Sequence, residues 1–488
     1  MILGSKKNYL ILIFLIIALF IVNISISIKN KGHLIFPSPV TTSLNAIAIS
    51  IDELINGKKG YIGNRDVLEN LLSNHQVLQY LDCKKINKYC FVENINFKSA
   101  VETSKKSDKK PRLIYENEDI GLIDFYKFAF FVFGFNMFSL MSAYYLILFA
   151  SLIIWVVYFY KETSKLFFPI LFLSSHAIII FLLPSFGDEI IVAHSRRFLP
   201  VLTIIPTIFI IVNLVENKFF SLKCLILNIL QISILLFIFH SRSTALFQFL
   251  NISFIILLIL ILKRNQLREL LSRNKNFINI SFSLIIILIF YKFLMFVNIN
   301  PLYSKVVSKH LFWHAAYIGL SAHPDSELKY NIYNSDGAAL DYVVDFTEKK
   351  YGEKNWKNKF GFEGYERILK NRYFEILKSD TSFYLYNYLM KPLIFLKLIY
   401  ENILKKILLP LLIFFILLRF ILHYTKLTKF LIFENKNFYF VFITLIFSFI
   451  PSLFLLPSLV YSLTTILLSV LLIIYVLFRL TFFKLRFL

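Results

Sequence analysis

Roughly ten stretches of this chain are long and apolar enough to cross a bilayer, each about 18–22 residues at 1.5 Å rise per residue. Two polar segments of about a hundred residues interrupt them. In hydrocarbon every backbone polar group must be satisfied internally, so such stretches can only be helices here. The chain has 488 residues, is 57% hydrophobic and only 17% charged, and its mean hydropathy is +0.67. A soluble protein of this size would expose far too much apolar surface. The expected fold is all-α: a polytopic membrane protein with about ten transmembrane helices and two long extracytoplasmic loops of mostly helical character.

The expected spans are 9–28, 139–160, 166–184, 198–215, 223–240, 245–262, 277–297, 406–423, 437–456 and 459–479. They divide the chain into a first anchor (1–28), a loop with an interfacial helix (29–138), a six-helix block (139–297), a second loop (298–405) and a three-helix block (406–488). Lys6 and Lys7 precede the first span and no small-residue cleavage signature follows it, so it reads as an uncleaved anchor. With the N-terminus inside, the inner segments carry 17 basic residues against 4 acids. The positive-inside rule then places both termini in the cytoplasm and both long loops outside. The net charge of +23 follows mostly from this bias. It matches anionic lipid headgroups rather than nucleic acid, because no basic-aromatic module accompanies it.

The first loop is nearly neutral and reads as a small helical cap. It ends in the aromatic run FYKFAFFVFGF, too short to span and suited to the interface. Cys83 and Cys90 lie six residues apart in that loop, and either close a disulfide in an oxidising compartment or stay as thiols; Cys224 reads as core packing. The second loop holds helix-like stretches over 363–378 and 383–400. There is no P-loop, GxGxxG, HExxH or paired CxxC, and no internal repeat.

What remains is a set of polar residues at one membrane edge, where acids are costly unless hydrated or paired. Glu116, Glu118, Asp119 and Asp124 lie in YENEDIGLIDF. Asp188 and Glu189 are followed by His194, Arg196 and Arg197. His240 and Arg242 sit in the turn FHSRST. His310, His314, His323 and Asp325 open the second loop. Each group has a plainer reading. Loop acids can be solvated, Asp188 and Glu189 can pair with their own turn's arginines, arginines can snorkel, and His310 and His314, at helical i, i+4 spacing, can be structural.

This layout resembles the GT-C superfamily of membrane glycosyltransferases. The shared features are a first span, a long outer loop, a short acidic outer turn after the third span, and a second long outer loop after the seventh. ILKSDTSFYLYNYLMKPLIFLKL is similar to the amphipathic helix that precedes a span in many members, with Asp380-Thr381 in place of the usual His-Pro. The resemblance implies a catalytic acidic pair in the first loop, at Asp52-Glu53 or Glu118-Asp119, and a second at Asp188-Glu189. No WWD-like acceptor motif is present. It further implies transfer of a sugar from a polyprenyl-phosphate donor to a glycan, lipid or protein acceptor outside a bacterial inner membrane. Asp119, Glu118, Asp52 or Glu53 would take the acceptor proton. Arg196, Arg197 or Arg242, with His310 and His314, would meet the phosphate. Asp188 and Glu189 would hold a divalent cation, Mg2+ or Mn2+. Two rival readings stand beside this one. SRSTALFQF resembles a stretch of O-antigen polymerases and ligases, where arginines and a histidine would do the work. A transporter or flippase of lipid-linked glycans is the other, although such proteins usually show repeats that this chain lacks.

Overall fold

The computed structural model describes residues 2–29, 41–57, 60–71, 96–106, 113–115, 120–136, 138–182, 198–215, 222–262, 275–299, 312–333, 335–352, 354–401, 405–406, 435–454 and 463–483. Of these about 90% are helical. Beyond its first residue, the expected span over 406–423 lies outside the described residues, as does the pair Cys83 and Cys90.

Helix α1 (Ile2–Lys29) is followed by the elements of the first polar segment. These are α2 (Thr41–Asn56), strand β1 (Ile62–Asn64), α3 (Arg65–Leu71), α4 (Phe97–Lys105), strand β2 (Leu113–Tyr115) and α5 (Gly121–Phe133). The apolar block follows as α6 (Phe138–Phe159), α7 (Thr163–Leu182), a 3-10 turn (Leu199–Thr203), α8 (Ile204–Val215), α9 (Leu222–Ser241), α10 (Leu246–Leu262) and α11 (Lys275–Asn298). The second polar segment holds α12 (Phe312–Ile318), α13 (Ser326–Tyr330), α14 (Asp336–Tyr351), α15 (Trp356–Ser379) and α16 (Thr381–Ile399). Helices α17 (Asn435–Phe454) and α18 (Leu463–Phe483) come last.

Among the described residues five helices are long and apolar enough to cross a membrane: Tyr9–Lys29, Phe138–Phe159, Thr163–Leu182, Leu222–Ser241 and Ser243–Leu262. Leu199–Val215, Ile278–Ile289, Tyr439–Pro451 and Leu463–Leu477 are apolar but shorter. Ten spans are therefore the expectation, and five meet the full length. Large apolar side chains such as Phe14, Phe254 and Leu262 stay exposed on these helices, as a lipid-facing surface requires.

Where lipid is as apolar as leucine, helices associate through packing and buried hydrogen bonds. His176 on α7 bridges Asn23 of α1 (Nδ1 to Oδ1, 2.8 Å) and Tyr144 of α6 (Nε2 to the hydroxyl, 2.7 Å). Ser151 of α6 donates to Gln231 of α9 at 2.9 Å. Gln248 and Asn251 of α10 donate to Ser448 and Thr444 of α17 at 2.7 and 3.0 Å. Each such bond contributes about 0.6 kcal/mol.

The first polar segment adds one feature that the all-α expectation lacks. Strands β1 and β2 pair antiparallel, Ile62 opposite Tyr115 and Asn64 opposite Leu113. This miniature sheet packs on α2, which in turn lies against α5. The second polar segment has its own core, in which Tyr317, Leu320, Ile332, Val343, Tyr365, Leu369 and Phe383 are buried together. Asp380, in the Asp380-Thr381 pair, is the N-cap of α16: its carboxylate accepts the Phe383 backbone N–H at 3.0 Å.

Candidate functional site

Helix α2 carries the apolar run Ala46, Ile47, Ala48, Ile49 and Ile51, all wholly buried. That run is continuous because α2 is covered by β1, α4 and α5 together. It ends on two acids. Neighbouring residues on a helix point about 100° apart, so Asp52 and Glu53 reach different partners. The Asp52 carboxylate accepts from Asn56 at 2.7 Å and from the Ser104 hydroxyl of α4 at 2.9 Å. That geometry ties α2 to α4. Glu53 turns toward α5.

The aromatic run is helical, as part of α5, which begins four residues before it. The buried face of α5 runs from Gly121 to Phe130, and Phe131, Val132 and Phe133 are exposed. Ser50 of α2 donates to the Ile123 carbonyl at 3.1 Å and fixes the register of the two helices. Asp124 and Lys127, one turn apart on α5, form an ion pair at 2.7 Å. The Lys127 ammonium also donates to Glu53 at 2.8 Å. It stands between two carboxylates and pairs with both.

Tyr61 closes this group from above. It sits in the left-handed region at φ 64°, after Gly60 at φ 119°. A non-glycine residue held there costs of order 1–3 kcal/mol, and such strain persists only where surrounding contacts over-determine it. Here they do. The Tyr61 N–H donates to Glu53 at 2.5 Å, its hydroxyl donates to Asp124 at 2.8 Å, and the Lys127 ammonium lies 5.5 Å from its ring centre.

The last turn of α9 completes the cluster. His240 Nε2 lies 2.8 Å from Asp124 Oδ2, and its Nδ1 lies 2.9 Å from the Tyr291 hydroxyl on α11. The approach of α5 to α9 is close. A Cβ on Gly121 would fall 2.2 Å from the His240 carbonyl oxygen, so only glycine fits there. Arg242 follows two residues later, in extended backbone at φ −149°, and is 5% exposed.

The charges of the cluster follow from its geometry. Burial raises the Glu53 carboxyl, and this outweighs the opposing effect of Lys127 and the Tyr61 N–H, leaving it above its ordinary 4.5. Burial also acts to raise Asp124, but the His240 hydrogen bond and Lys127 outweigh it, so this carboxyl is held below its ordinary 3.8. For Lys127, burial disfavours the charge, and the two carboxylates overcome it. Asp124 is thus the ionised acceptor of the cluster. Its side chain and that of Lys127 are each 25% exposed, whereas that of Glu53 is 1% exposed. Asp124 and Lys127 are thus open at the surface of the cluster, and Glu53 is closed off.

Of the residues singled out in the sequence, the structure brings Glu53, Asp124 and His240 together and leaves Arg242 two residues from His240. Asp52 holds α4. His314 belongs to the second core: its Nδ1 meets the Tyr365 hydroxyl at 2.7 Å and its N–H donates to Glu366 at 2.9 Å. His323 stacks on Phe383 at 4.1 Å. Glu116, Glu118, Asp119, Asp188, Glu189, His194, Arg196, Arg197 and His310 lie outside the described residues. Lys127, Tyr61 and Tyr291 were not singled out. The signal for Lys127 was present, since it is the one cation in an eleven-residue aromatic run. Among the described residues no three His, Cys, Asp or Glu side chains gather as a metal-binding set. Compared with known proteins, the chain matches no family model, no curated protein and no solved structure.

Proposed function

We propose that this chain is a membrane glycosyltransferase that moves a sugar from a polyprenyl-phosphate donor to an extracytoplasmic acceptor at a bacterial inner membrane. The observation that carries this reading is the Asp124–His240 pair, 2.8 Å apart at the end of an apolar helix. A lipid-linked phosphate places its reacting bond at that depth.

In this reading Asp124 accepts the Nε2–H of His240 and holds the imidazole in the tautomer whose Nδ1 is basic. The acceptor hydroxyl loses its proton to Nδ1 through the Tyr291 hydroxyl, which bonds Nδ1 at 2.9 Å. The acceptor oxygen attacks the anomeric carbon and a new glycosidic bond forms. The carbon–oxygen bond to phosphate breaks with its electron pair on the leaving phosphate, and the configuration inverts. Arg242 neutralises that phosphate with a planar fork of donors. Arg196 and Arg197 would add charge to the same anion, and Asp188 and Glu189 would hold a divalent cation over it. This assignment replaces Asp52 by Asp124 and His240 as the proton-handling groups, because Asp52 is committed to α4.

A second reading keeps the lipid-linked substrate. The nearness of His240 and Arg242 also suits a polymerase or ligase in which arginine and histidine act without a carboxylate base. One experiment separates the two. The purified chain in nanodiscs is given an undecaprenyl-phosphate hexose, and release of undecaprenyl phosphate is followed. Asp124→Asn and His240→Gln should each lower the rate by about 10²–10⁴. A large loss in His240→Gln alone favours the second reading. Wild-type rates in both variants, or no release by the wild type, sink the transferase.

A further inference from the structure

The second polar segment contains a cleft of about 410 Å³, away from the residues of the candidate site. It lies between α12, α13, α14 and α15, and its volume falls in the roughly 300–1,000 Å³ range of small-molecule sites. Its walls are tyrosine rings, Tyr317, Tyr330 and Tyr342, and its cations are Lys349, Lys350 and Arg372. One lining carboxylate, Asp345, opposes those three positive charges.

Arg372 is the fixed point of this cleft. Its guanidinium is stacked on two of the rings, 5.8 Å from the Tyr330 centre and 5.4 Å from the Tyr342 centre. One of its terminal nitrogens is tied to Glu375 at 3.3 Å. Its Nε is buried. The buried Tyr317 hydroxyl interacts with the same guanidinium, so ring and cation form one fixed polar corner of the cleft. Tyrosine gives a flat apolar ring and a hydroxyl in one rigid side chain. That combination suits a sugar, which has an apolar C–H face and a rim of hydroxyls. The excess of cations adds a demand for negative charge, and a guanidinium held between rings meets a carboxylate or phosphate through two parallel bonds.

We propose that this cleft binds an anionic saccharide, a sugar bearing a carboxylate or a phosphate. The site is independent of the transfer chemistry above and can be tested without it. The full chain in nanodiscs is titrated by calorimetry with trigalacturonate, glucose 1-phosphate, neutral maltotriose and triglutamate. At least one of the two anionic sugars should bind about tenfold or more tighter than maltotriose, and which of them does so identifies the anion. Arg372→Gln should weaken that binding about tenfold, with Arg372→Lys intermediate. Lys349 is exposed, so Lys349→Gln leaves folding intact and should weaken binding and its salt dependence. Lys354→Gln, outside the cleft, should change nothing. The proposal is overturned if neither anionic sugar outbinds maltotriose, if triglutamate binds as tightly, or if Arg372→Gln and Lys349→Gln both keep wild-type affinity.

Discussion

Glu53 and Lys127 are 74 residues apart in the chain, and their charged groups meet at 2.8 Å. The contact joins α2 to α5 and, through Asp124, joins both to α9. It is the point at which the first polar segment is locked onto the apolar helices. Breaking a buried pair by removing one partner is costly because the other charge is left uncompensated.

Lys127→Met should therefore destabilise the protein by about 2–3 kcal/mol at neutral pH, at the low end of the range because Lys127 is a quarter exposed. The sign with pH follows from Glu53. Its carboxyl is already raised in the folded state, so its favourable contribution is present below 4.5 and lost as pH rises through the folded value. Removing Lys127 raises that value further. Thermal melts should show Lys127→Met close to wild type at acidic pH and well below it at pH 8. Adding Glu53→Gln should recover most of the loss; if the double variant is as unstable as the single one at pH 8, the pair is not the lock.

Gly121 is the second point of closure. A Cβ there would meet the His240 carbonyl carbon at 2.4 Å and its ring carbon at 2.5 Å, distances that real contacts do not reach. These atoms belong to a helix end and to a ring held on both nitrogens, so α5 must move instead. Gly121→Ala should cost about 1–3 kcal/mol. It should also lower transfer activity toward the level of Asp124→Asn, because the movement separates Asp124 from His240. A Gly121→Ala protein with wild-type melting and activity would show that the two helix ends are not in contact.

Much of the frame was legible because a twenty-residue apolar run has one stable form in lipid. The helices Tyr9–Lys29, Phe138–Phe159 and Leu222–Ser241 stand close to where the sequence places them. The site was legible only in pieces. Asp124 and His240 each stood out as polar groups at a membrane edge. Their pairing across 116 residues depends on how α5 lies over α9, which no local pattern encodes. Asp52 and Glu53 were indistinguishable as neighbours until the helix rotation sent one to Ser104 and the other to Lys127. Lys127 did not stand out from its aromatic run, because its partner Glu53 lies in another element, 74 residues away. Strands of three residues are too short to show a period of two.

The start of α16 offers a pH test in the second polar segment. The Phe383 N–H and the Ser382 hydroxyl both donate to Asp380, as do Tyr330 and Lys329. The backbone bond from Phe383 and then the Ser382 bond lower its carboxyl from 3.8 to about 2. A depressed carboxylate contributes stability that is complete above its unfolded value and is lost as pH falls through the folded one. The window is therefore from 3.8 down to about 2. Near-UV circular dichroism melts should lose more stability across that window in wild type than in Asp380→Asn. Equal losses in the two proteins would remove Asp380 as the cap.

The final prediction concerns which polar segments share a side of the membrane. His240, in the last turn of α9, bonds Tyr291 near the end of α11. Asp124 of the first polar segment bonds the same imidazole. The end of α9, the exit of α11 and the first polar segment therefore lie at one end of the apolar helices. The second polar segment follows directly from α11, so it should share that face. The segment between α10 and α11 follows a helix that runs back from His240, so it should lie on the opposite face. By the positive-inside rule its basic residues, Lys263, Arg264, Arg268 and Arg273, should make that face the cytoplasmic one. Reporter fusions at Lys106 and Lys357 should thus both report outside, and one at Arg268 should report inside. Opposite answers from Lys106 and Lys357 would separate the two segments, and no transfer reaction could then use both.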